Sequence, residues 1–243
     1  MSKSLVMRIL TGVAMVFFYL QLSAQELITD RPDQTESAWT VPLKALQIES
    51  GVTLHRADNK LTFQVLQNVW RYSPVSRLEV RLTSGLTIKA HEARITQTSF
   101  DNLEAGLKFQ FTEGKVPLAL LSHLILPTGT LDAQSGLFCK LLWSHHLGPY
   151  LNVGYNVGME YARDQPLKYN YSLSLSTSLT SHLGYYLEPF GTFGELDAWD
   201  TGLTYLVTPN VQLDFSMGFS FSAAYNYYAF GCSWRIPHQP THL

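Results

Sequence analysis

Residues 150–160 read Tyr-Leu-Asn-Val-Gly-Tyr-Asn-Val-Gly-Met-Glu, and their alternation decides the fold. Leu151, Val153, Tyr155, Val157 and Met159 fall on one face of an extended chain; Asn152, Gly154, Asn156, Gly158 and Glu160 fall on the other. Side chains of a strand point alternately to its two faces, so a period of two marks a strand with one apolar and one polar side. Residues 168–180 and 211–219 repeat the pattern, and 46–54, 77–83, 103–111 and 228–236 carry it more weakly. Stretches at 61–72, 117–126, 137–143, 185–193 and 198–207 complete a set of about twelve. Within 65–70 and 118–126 apolar residues occupy both parities, so parity alone does not say which side faces where.

A leader precedes these strands. Lys3 and Arg8 give a positive start, 9–20 is an apolar run, and Leu22-Ser23-Ala24 places small residues at a cleavage point before Gln25. This is a secretory signal pattern. The run is about 12 residues, short of the roughly 20 that cross a bilayer as a helix. No later segment is as long and free of charge, so a mature chain that crosses a membrane must cross it with strands. The expected organisation is a signal peptide at 1–24, a periplasmic or lumen segment at 25–45, a barrel at 46–236 and a tail at 237–243.

Composition agrees. Charged residues are 15% of the 243, below the roughly 25% of soluble domains. Aromatics are 13%, which suits a surface that meets lipid with Tyr and Trp at the water boundary. The net charge of −2 gives no basic footprint, so nucleic acid is not an expected partner. Cys139 and Cys232 both sit on the apolar parity of distant strands and read as unpaired thiols; the eight histidines show no zinc-site spacing.

A lipocalin-like barrel would turn the apolar face inward. Two features favour the opposite. The polar face is rich in Gly and Ser and nearly balanced in charge, with Arg71, Arg81, Lys108, Lys140, Lys168 and Arg235 against Glu49, Glu79, Glu160, Glu188, Asp200 and Asp214. The apolar face ends near the turns in aromatics such as Tyr72, Trp143, Tyr161, Tyr169 and Trp234, as the two interface girdles of a membrane barrel do. The links add a third argument. Tight turns at 73–76, 112–115, 145–148, 181–184 and 208–210 tend to alternate with longer polar links at 56–60, 89–102, 127–136, 163–166, 194–197 and 222–226. Outer-membrane barrels have short periplasmic turns and longer outer loops. Pro189 cannot donate to a ladder and is expected at a strand end or bulge. The fold class is therefore all-β: a transmembrane antiparallel up-and-down barrel of about twelve strands.

The first mature segment carries a motif. Thr29-Asp30-Arg31-Pro32-Asp33-Gln34-Thr35-Glu36-Ser37-Ala38 leads to Val41-Pro42 and then Gln47-Ile48-Glu49-Ser50-Gly51. It resembles the opening of the outer-membrane family called "putative MetA-pathway of phenol degradation". That resemblance implies an outer-membrane barrel with a transport role and names no substrate. Many outer-membrane chains end on an aromatic read by the barrel-assembly machinery, an expected partner. This one runs past Trp234-Arg235-Ile236 into seven further residues.

Asp30, Arg31, Asp33 and Glu36 need a wet place. Either they fold into the barrel mouth as a plug or gate, with Arg31 pairing a lumen carboxylate such as Glu49, or they form a solvated periplasmic tail. The lumen charges Glu49, Arg71, Glu79, Arg81, Lys108 and Glu188 form either a structural network or a weak selectivity filter. Catalysis finds little footing. Gly218-Phe219-Ser220-Phe221-Ser222 lacks the closing glycine of a nucleophile elbow, and Ser122 and His123, being adjacent on a strand, face opposite ways. The expected role is passive movement of small solutes, hydrophobic ones included, in a Gram-negative outer membrane. Lipid and solute are its partners, and no cofactor is implied. The alternatives are a structural or adhesion barrel without transport and an outer-membrane lipid-modifying enzyme.

Overall fold

In a computed structural model, the alternating stretches become one continuous antiparallel ladder. The structure describes residues 27–58, 60–92, 94–130, 134–148, 151–163, 165–221 and 225–238. The leader at 1–24, residues 25–26, 59, 93, 131–133, 149–150, 164 and 222–224, and the last five residues lie outside them. Thirteen strand segments follow in order: β1 Leu46–Ala57, β2 Lys60–Val75, β3 Leu78–His91, β4 Arg94–Phe100, β5 Leu103–Thr112, β6 Leu118–Leu126, β7 Gly136–Leu147, β8 Leu151–Ala162, β9 Lys168–Ser178, β10 Leu183–Thr192, β11 Ala198–Thr208, β12 Val211–Ser220 and β13 Tyr225–Ile236. β1 pairs with β13 from Leu46↔Ile236 to Ala57↔Tyr225, which closes the ring and removes the open edges.

β4 and β5 together fill one place in the wall. β3 pairs with β5 through Leu78↔Phe109 to Thr83↔Glu104, and with β4 through Leu86↔Phe100 to His91↔Arg94. The interruption at Asp101-Asn102 is tied back to β3 by the Asp101 N–H donating to Gly85 O at 3.0 Å. The barrel thus has twelve strands.

Two expectations about the links are corrected here. The 89–102 stretch is not a loop: β3 runs on to His91 and β4 pairs against it. The 56–60 stretch is also strand at both ends, with Ala57↔Lys60 paired. In β4 polar residues occupy both parities, Thr96 and Thr98 on one and Gln97 and Ser99 on the other, so the ladder continues while the apolar–polar alternation that would reveal it fades. Pro189 is a third correction. It lies inside β10, opposite Trp199 of β11, and the pairing toward β9 skips from Leu187↔Leu175 to Phe190↔Ser172. A residue without an N–H is tolerated where one side of the ladder is already open.

The ambiguous 65–70 stretch holds a β-bulge. Leu66 has φ 52°, and the pairing shifts between Val65↔Leu86 and Asn68↔Ser84. One extra residue switches the parity, so Phe63 and Trp70 both end up on the outer face beside Ile88 and Leu82. Outward-facing Val80, Leu107, Leu173, Leu187, Leu213 and Phe230 are exposed on the outside of the barrel, whereas Arg71, Glu79, Lys108, Glu188 and Asp200 are fully buried inside. Trp234, Ile48 and Trp70 sit side by side across three strands near the tight-turn end, as an interface girdle requires.

Candidate functional site: the occupied lumen

The segment 27–45 lies inside the barrel. It meets the wall at the tight-turn end, where the Lys44 N–H donates to Ser73 O at 2.7 Å and Leu43 bridges Ser73 in parallel. From there it runs up the lumen and returns, so that the Gln47 amide donates to Ile28 O at 2.9 Å. Its turns carry backbone N–H and C=O groups into a space with few strand partners. Wall side chains satisfy them: the Val41 N–H donates to Glu79 at 2.8 Å, the Gln34 N–H to Glu188 at 2.6 Å, Arg71 to Trp39 O at 3.4 Å, and Lys108 to Ser37 O at 2.9 Å.

Asp30 is the hub. One of its carboxylate oxygens lies 2.8 Å from Lys108 Nζ, 3.1 Å from Arg81 Nη2 and 3.2 Å from Arg71 Nη1. Its other oxygen accepts the Ser37 N–H at 2.8 Å, and its own N–H donates to Glu49 at 3.0 Å. Arg71 reaches Glu49 at 2.6 Å and Glu79 at 2.9 Å, and Arg81 reaches Glu36 at 2.7 Å. Four carboxylates and three cations from β1, β2, β3, β5 and the segment are thereby interleaved. Charges out of water are tolerable only when paired and hydrogen-bonded in this way. Burial works against ionised Asp30, but Arg71, Lys108 and Arg81 together hold it well below the usual carboxylate range.

Arg31 departs from expectation. Its partner is Asp214 at 3.3 Å, on β12, with a second bond to Phe230 O at 3.4 Å; Glu49 is taken by Arg71. The reason lies in two glycines. Gly51 and Gly231 face each other across β1 and β13, and the guanidinium lies over both, where an added Cβ would collide with it. The glycine of the Gln-x-Glu-x-Gly strand is thus a bed for the arginine of the preceding motif.

Asp33 lies within electrostatic reach of Glu188 on the far wall. Glu188 accepts from the Gln34 N–H and from the Thr35 hydroxyl, which also bonds Ser172 at 2.7 Å. Burial first, and the Glu188 carboxylate beside it, push Asp33 well above the usual carboxylate range.

The structure therefore brings together Asp30, Glu36, Glu49, Arg71, Glu79, Arg81 and Lys108, and places Arg31 and the Asp33–Glu188 pair at separate stations. Sequence reasoning missed Asn156, whose carboxamide accepts the Glu36 N–H at 2.7 Å and donates to Glu36 O at 3.0 Å. It also missed Ala38, which packs into Ala119, Leu121 and Leu142. That contact explains the two-sided apolar run at 118–126: part of the lumen wall is dry because the segment covers it. His123 points inward to Glu104 at 2.8 Å, while Ser122 bonds Cys139 on the outer face. Among the described residues no group of three or more His, Cys, Asp or Glu side chains is placed to hold a metal ion.

Space remains on both sides of the segment. Toward the long-loop end lie cavities of about 320 and 450 Å³ that share Thr83, Glu104 and Ile125. Toward the tight-turn end lie cavities of about 450 and 190 Å³ that share Thr29, Asp33, Asn152 and Ser176.

Residues 29–236 match the family described as "Putative MetA-pathway of phenol degradation". The chain belongs to this family. Among solved structures, the barrel is similar to the COG4313 outer membrane channel from Pseudomonas putida F1, with 12% identity, a TM-score of 0.66, and coverage of 86% of this chain and 100% of that one. It is also similar to NanC porin, with 7% identity, a TM-score of 0.57, and 79% and 100% coverage, and to KdgM porin, with 13% identity, a TM-score of 0.53, and 79% and 99% coverage. At these identities the likeness is one of fold. A comparison with curated proteins gave no significant match. The match begins at Thr29, so the lumen segment lies within the family's span.

Proposed function

We propose that this family member is a passive outer-membrane channel for small solutes, not an enzyme, with its tight turns toward the periplasm and the segment 27–45 as a resident plug. The observation that supports it most is the pair of cavities on the two sides of the segment, whose linings mix polar and charged side chains such as Asn152, Ser176, Arg81 and Glu104 with apolar ones such as Leu27, Trp39 and Phe138. Water fills such spaces, and a solute of modest size needs only the segment to shift. Export through the leader and insertion by the barrel-assembly machinery complete this reading.

Single-channel recording on the full chain and on a variant lacking 27–37 tests it. Conductance is expected to rise in the deleted form, and liposome swelling with a solute panel then ranks what passes. A folded deletion variant that carries no current would refute the channel. It would favour a closed structural barrel, the reading supported by the complete burial of Arg71 and Lys108.

A further inference from the structure

At Glu36 the segment spans the lumen from wall to wall. On one side Asn156 of β8 holds both of its backbone groups, accepting the N–H at 2.7 Å and donating to the carbonyl at 3.0 Å, as a neighbouring strand would. On the other side its carboxylate reaches Arg81 of β3 at 2.7 Å. Among the described residues Glu36 is also the one that borders both the 320 Å³ cavity toward the long loops and the 450 Å³ cavity toward the tight turns. Elsewhere the two spaces have different walls.

The position is built to be released. Glu36 is the most open member of the ion network, with its side chain 20% exposed against 4% or less for Asp30, Glu49, Arg71, Glu79, Arg81 and Lys108. Its other cation, Lys108, is 4.0 Å away. If Glu36 swings off, Arg81 keeps Asp30 at 3.1 Å and Glu79 at 3.7 Å. Detaching this one carboxylate therefore leaves Arg81 and Lys108 each still paired with Asp30, whereas detaching Asp30 would take an anion from three cations at once.

We propose that passage is decided at this crossbar: Asn156, Glu36 and Arg81 form the partition between the two cavities, and the size and charge of what passes are set there. This deepens the channel reading and rests on it. Planar-bilayer recordings on the full-length chain test it with Glu36→Ala, Glu36→Gln, Asn156→Ala, the 27–37 deletion and, as a control at an exposed turn, Glu113→Gln. Glu36→Ala keeps the backbone clamp and removes the carboxylate arm, so unitary conductance is expected to rise severalfold. Asn156→Ala loosens the clamp and is expected to raise the fraction of time open. Glu36→Gln keeps the bulk and is expected to fall between wild type and Glu36→Ala; Glu113→Gln is expected to match wild type. If the deletion conducts while Glu36→Ala and Asn156→Ala both behave as wild type, the partition lies elsewhere and the inference fails with the channel intact. If the folded deletion variant itself is silent, the channel reading fails and takes the crossbar with it.

Discussion

Arg71→Met removes a cation shared by three carboxylates of the lumen while keeping most of its volume. Arg71 is fully buried and lies 2.6 Å from Glu49, 2.9 Å from Glu79 and 3.2 Å from Asp30. Removing one partner of a buried ion pair costs roughly 3–5 kcal/mol, because the other is left charged and dry. Here the cost is unevenly spread. Asp30 keeps Lys108 and Arg81, and Glu79 keeps Arg81 at 3.7 Å, but among the described residues Glu49 has no other Lys or Arg within 4.0 Å. Undocking the 27–45 segment floods the lumen and rehydrates these carboxylates, so the penalty falls on the docked state. At about 1.4 kcal/mol per decade, the open population is expected to rise by roughly two to four orders of magnitude. The assay is maleimide labelling of Ala38→Cys in a background without Cys139 and Cys232, since position 38 is wholly buried against Leu121 and Leu142. Arg71→Met should accelerate labelling by that factor. Adding Glu49→Gln should recover more of the loss than adding Glu79→Gln. A rise of less than about tenfold, or equal recovery by both second-site changes, would refute the account of the network.

The same labelling reads pH. Asp30, held below its ordinary value of 3.8, contributes docking stability that is present above that value and lost as pH falls through its folded value. Asp33, pushed above 3.8, does the opposite: docking is unopposed below 3.8 and weakens as pH rises through the folded value. Asp33→Asn should therefore slow labelling at neutral pH and flatten its rise with pH; unchanged kinetics would count against a buried Asp33 repelled by the Glu188 carboxylate. Gly51→Ala should lift Arg31 off its bed and cost about 1–3 kcal/mol of overpacking, read as a lower unfolding midpoint, and a neutral result would mean that the guanidinium has another seat. In the long-loop cavities the acidic side chains Asp101, Glu104 and Glu160 have no Lys or Arg partner within 4.0 Å among the described residues. The 27–37 deletion variant should thus prefer cations, and a reversal potential in a salt gradient that favours anions would overturn this.

The wall of the barrel was legible because its alternation is imposed by the surroundings. Leu151 to Glu160 must show lipid and water to opposite sides, and a period of two is the only pattern that does so. Legibility failed where that contrast vanishes. At 94–100 polar residues occupy both parities of β4, Thr96 and Thr98 on one and Gln97 and Ser99 on the other. At Leu66 a bulge resets the phase. At Leu121 and Leu142 the inner face is dry because Ala38 covers it.

By itself, the sequence determined which residues face inward, and so that Glu49, Arg71, Glu79, Arg81, Lys108 and Glu188 share one lumen: parity is local and each strand carries its own. Only the tertiary structure decided who pairs with whom. The choice of Asp214 for Arg31, Arg71 for Glu49 and Asn156 for Glu36 joins residues up to 183 positions apart in the chain and depends on how the strands are staggered around a closed ring. It depends equally on where the 27–45 segment turns within that ring. Neither quantity is written in any one stretch of the chain.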